Sequence, residues 1–516
     1  MTNMTRRSFL QSSTVASAAV MSAVVLPRHV LGGAGYVAPS EKINIAYVGC
    51  GTQGMRQMLE ALPNPNVRIV AVCDPNRIGD DYPEWGHNEL NNKIRDFLGD
   101  RNWAKDAKGG LCGREVGRDV VKRYYAKQSG GNASDVALGE YSDFREMLDA
   151  QKDIDAVYNM TPEHLHGVVA MRALRAGKHI VTHKPMSNIL DEARQMREMA
   201  RKADVATQLF CGAYERETPR VAEWIAAGAI GTVREVINVS TRPFWPQGML
   251  SYPTDTPPVP DGFVWNLWLG PASERAYHPA YTHAVFRGWY DFGTGALGDM
   301  GHYSFHQIFE ALDLASPLNV QASHSEFWKV TEKGWTKQVS NVAYPQASRI
   351  SWEFANPKAA GAKIRLHWYD GGVTPPDVEE WTKDGSMPEE YTLYRGTDGM
   401  ILCDFMGGNP MLLRRPRRAT ASAQEFVEPP QTLPRPIGEL EQFVKGCRGE
   451  AKPDSTFESA YPFAETILLG TIAQRVPGKL NWDADKFEFT GSAERGNTAN
   501  DANALKFRKN RTGWEL

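Results

Sequence analysis

From Ile43 onward, short runs of apolar residues alternate with amphipathic stretches. "INIAYVG" (43–49) and "VRIVAVCD" (67–74) are rich in Val and Ile and have no polar alternation, which predicts strands buried on both faces. "DAVYNMTP", "HIVTHKP" and "VATQLFC" repeat the pattern. Between them, "MRQMLEAL" and residues 164–176 and 189–203 carry apolar side chains at helical spacing. Strand–helix alternation of this kind predicts an α/β Rossmann domain with a doubly wound parallel sheet, over residues 41–212. Residues 75–140 exceed what a simple crossover needs. They are rich in Gly, Asn, Asp and Trp, with one helix expected at 114–128, and read as an elaboration bordering the cleft.

After Cys211 the pattern changes. A helix is predicted over 216–227, and then "GTVREVINVSTRPFWP", "RISWEFAN", "AKIRLHWYDG" and "YTLYRGTDGMILCDF" alternate polar with apolar positions. Such alternation predicts an α+β domain over 213–480, its mostly antiparallel open sheet covered by helices on one face. Residues 481–516 are polar and poorly periodic, and read as an arm packed on the body. No internal repeat is evident.

Composition narrows the class only slightly. With 516 residues, 42% apolar and 23% charged, the chain is an ordinary globular protein of at least two domains. A net charge of −3 gives no general attraction to nucleic acid or anionic lipid. "RRPRR" (414–418) reads as a solvated loop. The six scattered cysteines predict neither a disulfide framework nor structural zinc. The N-terminus matters more: Arg6 and Arg7 precede Ser8-Phe9-Leu10 and a mildly apolar stretch to Leu26. That arrangement resembles a twin-arginine signal, whose route carries folded proteins, so residues 1–40 are expected to be a signal peptide and linker. Export to the periplasm or beyond follows, with no membrane span in the mature protein.

Gly49, Gly51 and Gly54 form G-x-G-x-x-G between a strand and a helix, the spacing of a dinucleotide-binding loop. Backbone N–H groups at Thr52 and Gln53 open the helix and are expected to bind phosphate. Asp74 closes the next strand, where an acid bonds ribose hydroxyls and repels a 2′-phosphate; NAD is therefore expected, with NADP kept open by the nearby Arg77.

Residues 161–196 carry Thr161-Pro162, His166, "AGKH" and a strand ending Lys184-Pro185. In these features the chain resembles the glucose–fructose oxidoreductase/inositol dehydrogenase/MocA family, and specifically an exported branch of it. The resemblance implies that Thr161, Pro162, His166 and His183 border the cofactor and that Lys184 faces the substrate hydroxyl beside the nicotinamide. His183 stands where the family has glutamate. "GTGALGDMGHYSFHQ" (293–307) is similar to the family's glycine-rich turn and D-x-x-x-H helix, so Asp299 is a candidate catalytic acid. Tyr303 replaces the histidine one turn on, and His302 and His306 flank it as further candidates. An ammonium at Lys184 is expected to pull the Tyr303 phenol down toward working pH. A metal site built from Asp299, His302, His306 and His278 is the weaker reading, so no metal is expected. The aromatic-rich segments 239–248 and 265–293 offer Trp245, His278, Tyr281 and Arg287 for sugar contacts.

The resemblance implies hydride transfer between a sugar or polyol carbon and nicotinamide. Joined to export, where free NAD is scarce, it leads us to expect a tightly bound, recycled cofactor. The alternatives are an NAD-dependent glycosidase working by transient oxidation and elimination, and a non-catalytic sugar- or NAD-sensing protein. Relatives commonly pair through the open sheet, so a homo-oligomer acting on a small carbohydrate, with no nucleic-acid partner, is expected.

Overall fold

The computed structural model describes residues 37–212, 217–376, 387–413, 427–491 and 498–515. The expected signal peptide, apart from its last residues, and the Arg414–Arg418 cluster lie outside these. Pro39–Glu41 forms a single 3-10 turn, and residues 43–516 make up a separate compact unit.

The apolar runs form a six-stranded parallel sheet in the order β5-β2-β1-β6-β7-β8. Its strands are β1 (Ile43–Val48), β2 (Val67–Cys73), β5 (Gly139–Tyr141), β6 (Ala156–Asn159), β7 (His179–His183) and β8 (Thr207–Phe210). A small ribbon, β3 (Gly79–Tyr82) with β4 (Gly110–Cys112), lies in the long insertion. The helices of this half are α1 (Thr52–Ala61), α2 (Glu89–Leu98), α3 (Arg114–Ser129), α4 (Phe144–Ala150), α5 (His166–Arg175) and α6 (Leu190–Lys202). Val48 pairs with Cys73 on one side and Asn159 on the other, so the carboxyl ends of three strands open together at one edge. Ligands of open parallel sheets bind in that crevice.

Beyond α7 (Thr218–Ala226), a nine-stranded sheet runs β17-β16-β15-β9-β14-β13-β10-β18-β19. Its central members are β9 (Val233–Val239), β13 (Ser348–Ala355), β14 (Lys363–Asp370) and β15 (Tyr391–Gly396), flanked by β10 (Asn319–His324), β16 (Met400–Asp404) and β17 (Met411–Leu413). Only β9 with β14 is parallel, the remaining neighbours being antiparallel. A separate hairpin, β11 (Phe327–Thr331) with β12 (Gly334–Gln338), exposes Trp328 and Trp335. The stretch after Leu480 is more than an arm. β18 (Lys479–Asp483) and β19 (Glu488–Thr490) extend the second sheet, and the tail returns to the first half, where Arg508 pairs with buried Glu192 and Trp514 packs against Phe144.

Two helices sit between the sheets. After the short α8 (Trp265–Leu269) comes α9 (Gly295–Leu312), and after α10 (Glu439–Cys447) comes α11 (Phe457–Ala473); almost every residue of α9 and α11 is buried. A helix apolar all round must be enclosed on all sides. Their side chains join one continuous core with Val48 and Leu209 of the first sheet and Trp352 and Trp368 of the second. Each such side chain contributes about 1.5–3 kcal/mol by leaving water.

Candidate functional site

The glycine loop shows why its first and third glycines are needed. Gly49 has φ +99°, and a Cβ there would lie 2.5 Å from the Met160 carbonyl oxygen, so any side chain would push β6 away. A Cβ on Gly54 would lie 2.1 Å from the Gly49 carbonyl oxygen, which lets the first turn of α1 sit directly on the loop. Gly51 is the N-cap of α1 and has no side-chain cap, leaving the helix-start N–H groups to a ligand. Gly49, Gly51, Thr52, Gln53 and Asp74 all line one cleft of about 860 Å³, its open mouth included. Asp74 accepts from the Cys50 and Asn76 amides, each at 2.7 Å, which fixes its carboxylate at the end of β2. An uncapped helix start, a glycine cradle that Cβ atoms would fill and a fixed acid on the next strand fit a dinucleotide.

Thr161, Pro162, His166, His183 and Lys184 line the same cleft. His166 ties two strand ends together, its Nδ1 2.5 Å from the Pro185 carbonyl and its Nε2 2.9 Å from the Thr161 carbonyl. Burial lowers its pKa to about 4, so the ring is neutral and only one of these contacts carries an N–H. His183 stacks on Phe210. Burial, reinforced by the adjacent Lys184, holds His183 well below its ordinary value, so a neutral imidazole stands before the lysine.

The negative charge near Lys184 comes from elsewhere. The Lys184 ammonium donates to the Asp299 carboxylate at 2.5 Å and to the Asp299 backbone carbonyl at 2.6 Å, and both side chains are about 95% buried. Arg287 Nε donates to the same Asp299 oxygen at 2.9 Å and lies 3.5 Å from Glu163 Oε1. Burial opposes ionisation of Asp299, but the Lys184 ammonium and Arg287 guanidinium outweigh it and hold its carboxyl well below the usual range. Glu163 is the reverse case: burial pushes it up to about 7 despite Arg287. Its Oε2 accepts from the Thr294 hydroxyl at 2.5 Å.

Tyr303 corrects an expectation. Lys184 Nζ lies over the face of its ring, 4.6 Å from the centroid, in a cation–π contact. Burial around the hydroxyl, reinforced by Asp299, pushes the phenol up rather than down. His302 and His306 face a neighbouring helix instead of the cleft. His302 Nδ1 contacts the Gly298 carbonyl at 2.8 Å, and its ring meets the edge of Phe463. His306 stacks on Phe463, with Nδ1 3.4 Å from Cys211 Sγ. Both are buried against α11, and neither lines the cleft.

Of the four sugar-contact candidates, only Arg287 lines the cleft. Trp245 stands beside it, 5.7 Å from the guanidinium. Tyr281 is buried in an aromatic cluster with Trp265, Trp289 and Phe292. His278 accepts from the Ala280 amide and lies 3.3 Å from Asp255, shaping a turn. The cleft also contains residues that the sequence did not single out: Glu163, Tyr82 and Pro83 from the insertion, and His283 and Phe286 opposite. The rings of Tyr82 and His283, both in the cleft lining, meet at a tilt of 33° with centroids 3.7 Å apart.

Residues 120–210 match the model of an oxidoreductase family with an NAD-binding Rossmann fold, and residues 233–352 that of the same family's C-terminal α/β domain. Among curated proteins, the chain is 34% identical over 104 residues to dTDP-3,4-didehydro-2,6-dideoxy-α-D-glucose 3-reductase of Actinomadura kijaniata, covering 20% of this chain and 31% of that protein. It is 35% identical over 95 residues to levoglucosan dehydrogenase of Pseudarthrobacter phenanthrenivorans, covering 18% of this chain and 24% of that one. The matched stretches thus span less than a third of either relative. In fold, the chain is similar to the WlbA dehydrogenase of Bordetella pertussis, solved with NADH and UDP-GlcNAcA, at a TM-score of 0.51 and 14% identity over 86% of this chain and 99% of that one. Both matches, one in each domain, are to models of the glucose–fructose oxidoreductase/inositol dehydrogenase/MocA family of oxidoreductases, to which the chain is similar over these stretches.

Proposed function

We propose that the protein is an NAD-dependent oxidoreductase acting on a hydroxyl of a sugar, polyol or glycoside, with its cofactor held and recycled in place. The observation that carries this reading is that Lys184 and Arg287, both paired with Asp299, line the same cleft as the glycine loop. Nicotinamide, when bound, accepts or returns a hydride. The chain's own part is to hold the phosphates at the start of α1, to fix the ribose at Asp74 and to orient the substrate hydroxyl with Lys184 and Arg287. The relatives, a dTDP-3,4-didehydro-2,6-dideoxy-α-D-glucose 3-reductase and a levoglucosan dehydrogenase, support a carbohydrate substrate. Export on the Arg6–Arg7 signal supports recycling, because an exported enzyme has no pool of free NAD to draw on.

The test is to purify the exported protein and add sugars and aryl glycosides without free cofactor while recording the reduced-nicotinamide absorbance. A band that rises with one sugar and falls with another is expected. Aryl alcohol release without a net band change would favour the transient-oxidation glycosidase. A protein that neither holds nor binds NAD and answers no sugar would refute the proposal.

A further inference from the structure

Proton transfer in this site needs a group able to change charge, and most of the cluster is not free to do so. Burial lowers the Lys184 pKa, but its ammonium is committed to Asp299, which is itself ionised between two cations. The Tyr303 phenol is pushed up, and Arg287 keeps its proton. Glu163 differs in geometry. It is 2% exposed, stands at the wall of the cleft, and has one oxygen fixed by Thr294. Its other oxygen, Oε1, is buried and among the described residues has no hydrogen-bond partner, Arg287 Nε at 3.5 Å being an ionic neighbour only. A buried carboxylate oxygen left unpaired is costly unless something occupies it.

We propose that Glu163, through Oε1, is the side chain that accepts the proton leaving the substrate hydroxyl. The inference rests on the oxidoreductase reading above. In the oxidation direction the substrate C–H bond gives its electron pair, as hydride, to the oxidised nicotinamide. The substrate O–H bond breaks, its proton forms a bond to Oε1, and the carbon–oxygen bond becomes a carbonyl. In reduction the same carboxyl returns the proton to the alkoxide oxygen. Lys184 and Arg287 stabilise developing negative charge on that oxygen without themselves giving up a proton. The charged and titratable groups facing Glu163 are Arg287, Asp299, Lys184 and Tyr344, and burial with these neighbours poises it at about 7, where a general base works best.

The experiment compares the full protein with Glu163→Gln and Glu163→Asp. Glutamine keeps an acceptor for Thr294 but cannot titrate, and aspartate can. In infrared difference spectra across neutrality, the wild type should show a protonated carboxyl band that disappears as pH rises, and Glu163→Gln should lack it. Sugar oxidation should rise with pH through about 7 in the wild type, with reduction falling. Glu163→Gln should lose on the order of 10²- to 10⁴-fold in kcat and become pH-flat, with NAD binding retained and the pH step restored in Glu163→Asp. A Gln variant that keeps the wild-type infrared titration, or the wild-type rate and pH profile, overturns the inference while leaving the oxidoreductase reading intact. A wild type that binds no NAD and oxidises no sugar overturns both.

Discussion

Consider removing each member of the Lys184–Asp299 pair in turn. At 2.5 Å and an effective dielectric of about 20, the two charges attract by roughly 6–7 kcal/mol, most of it cancelled by the cost of taking both out of water. Deleting one partner alone leaves a buried charge uncompensated, which costs about 3–5 kcal/mol. The two deletions are not equivalent. In Lys184→Met, Asp299 keeps Arg287 at 2.9 Å, so the loss should lie near the lower end of that range. In Asp299→Asn, two cations are left facing Glu163 alone, and the loss should lie near the upper end, softened as Glu163 ionises. The double variant removes both charges and leaves Arg287 with Glu163, so its loss should fall short of the sum by at least about 2 kcal/mol. Urea unfolding at neutral pH, followed by tryptophan fluorescence, measures all four corners of the cycle. Additivity within about 0.5 kcal/mol, or a Lys184→Met variant as stable as the wild type, would show that the pair is not the closed ionic unit described here.

Gly49→Ala should weaken NAD binding at least tenfold and cost about 1–3 kcal/mol of stability, because its φ is +99° and the new methyl meets the Met160 carbonyl; NADH fluorescence titration and thermal melts report both. Asp74→Ala should raise the Kd for NAD more than that for NADP, narrowing the preference, and parallel titrations with the two cofactors decide it. Glu163 also makes stability depend on pH. Its folded value of about 7 lies above its unfolded ~4.3, so the folded state binds more protons between the two and stability falls as pH rises through that window, by an amount of order 3 kcal/mol, then levels off. Glu163→Gln should remove that slope. Melting temperatures of both proteins at acidic and mildly alkaline pH measure it, and a difference between them that does not change with pH would contradict the assignment.

The elements that could be read from the chain are those set by local pattern. Apolar runs gave the parallel sheet, and alternation gave the antiparallel one, because strand burial is written in periods of one and two residues. Gly49, Asp74 and Lys184 could be singled out because a turn or a strand end fixes each one locally, and the structure sets all three in one cleft, with Asp299 paired to Lys184. Glu163 was hidden. It sits inside Thr161-Pro162-Glu163-His164, and its meaning comes from Arg287 and Asp299, more than a hundred residues away. His302 and His306 stand outside the cleft lining for the converse reason. Helical spacing put them near Asp299, but only packing reveals that α11 covers that part of α9. Tyr281 and His278 were likewise chosen by composition, which cannot separate an aromatic cluster that binds from one that only packs.

The helices α9 and α11 weld both sheets to one core, and this governs how anything enters the cleft. Many two-layer enzymes admit ligands by swinging one half away from the other. Here such a swing would pull apart the layer that holds Phe463, Ile467, Trp352 and Leu209 together and wet it. At the cleft lining the ring of His283 rests on Tyr82 and lies 3.4 Å from Asp81, and His283 and Ala284 hold positive φ, +47° and +71°, a conformation costly for residues with side chains. That backbone cost is borne where the insertion meets the substrate-side segment, while the layer behind it is held by the shared core.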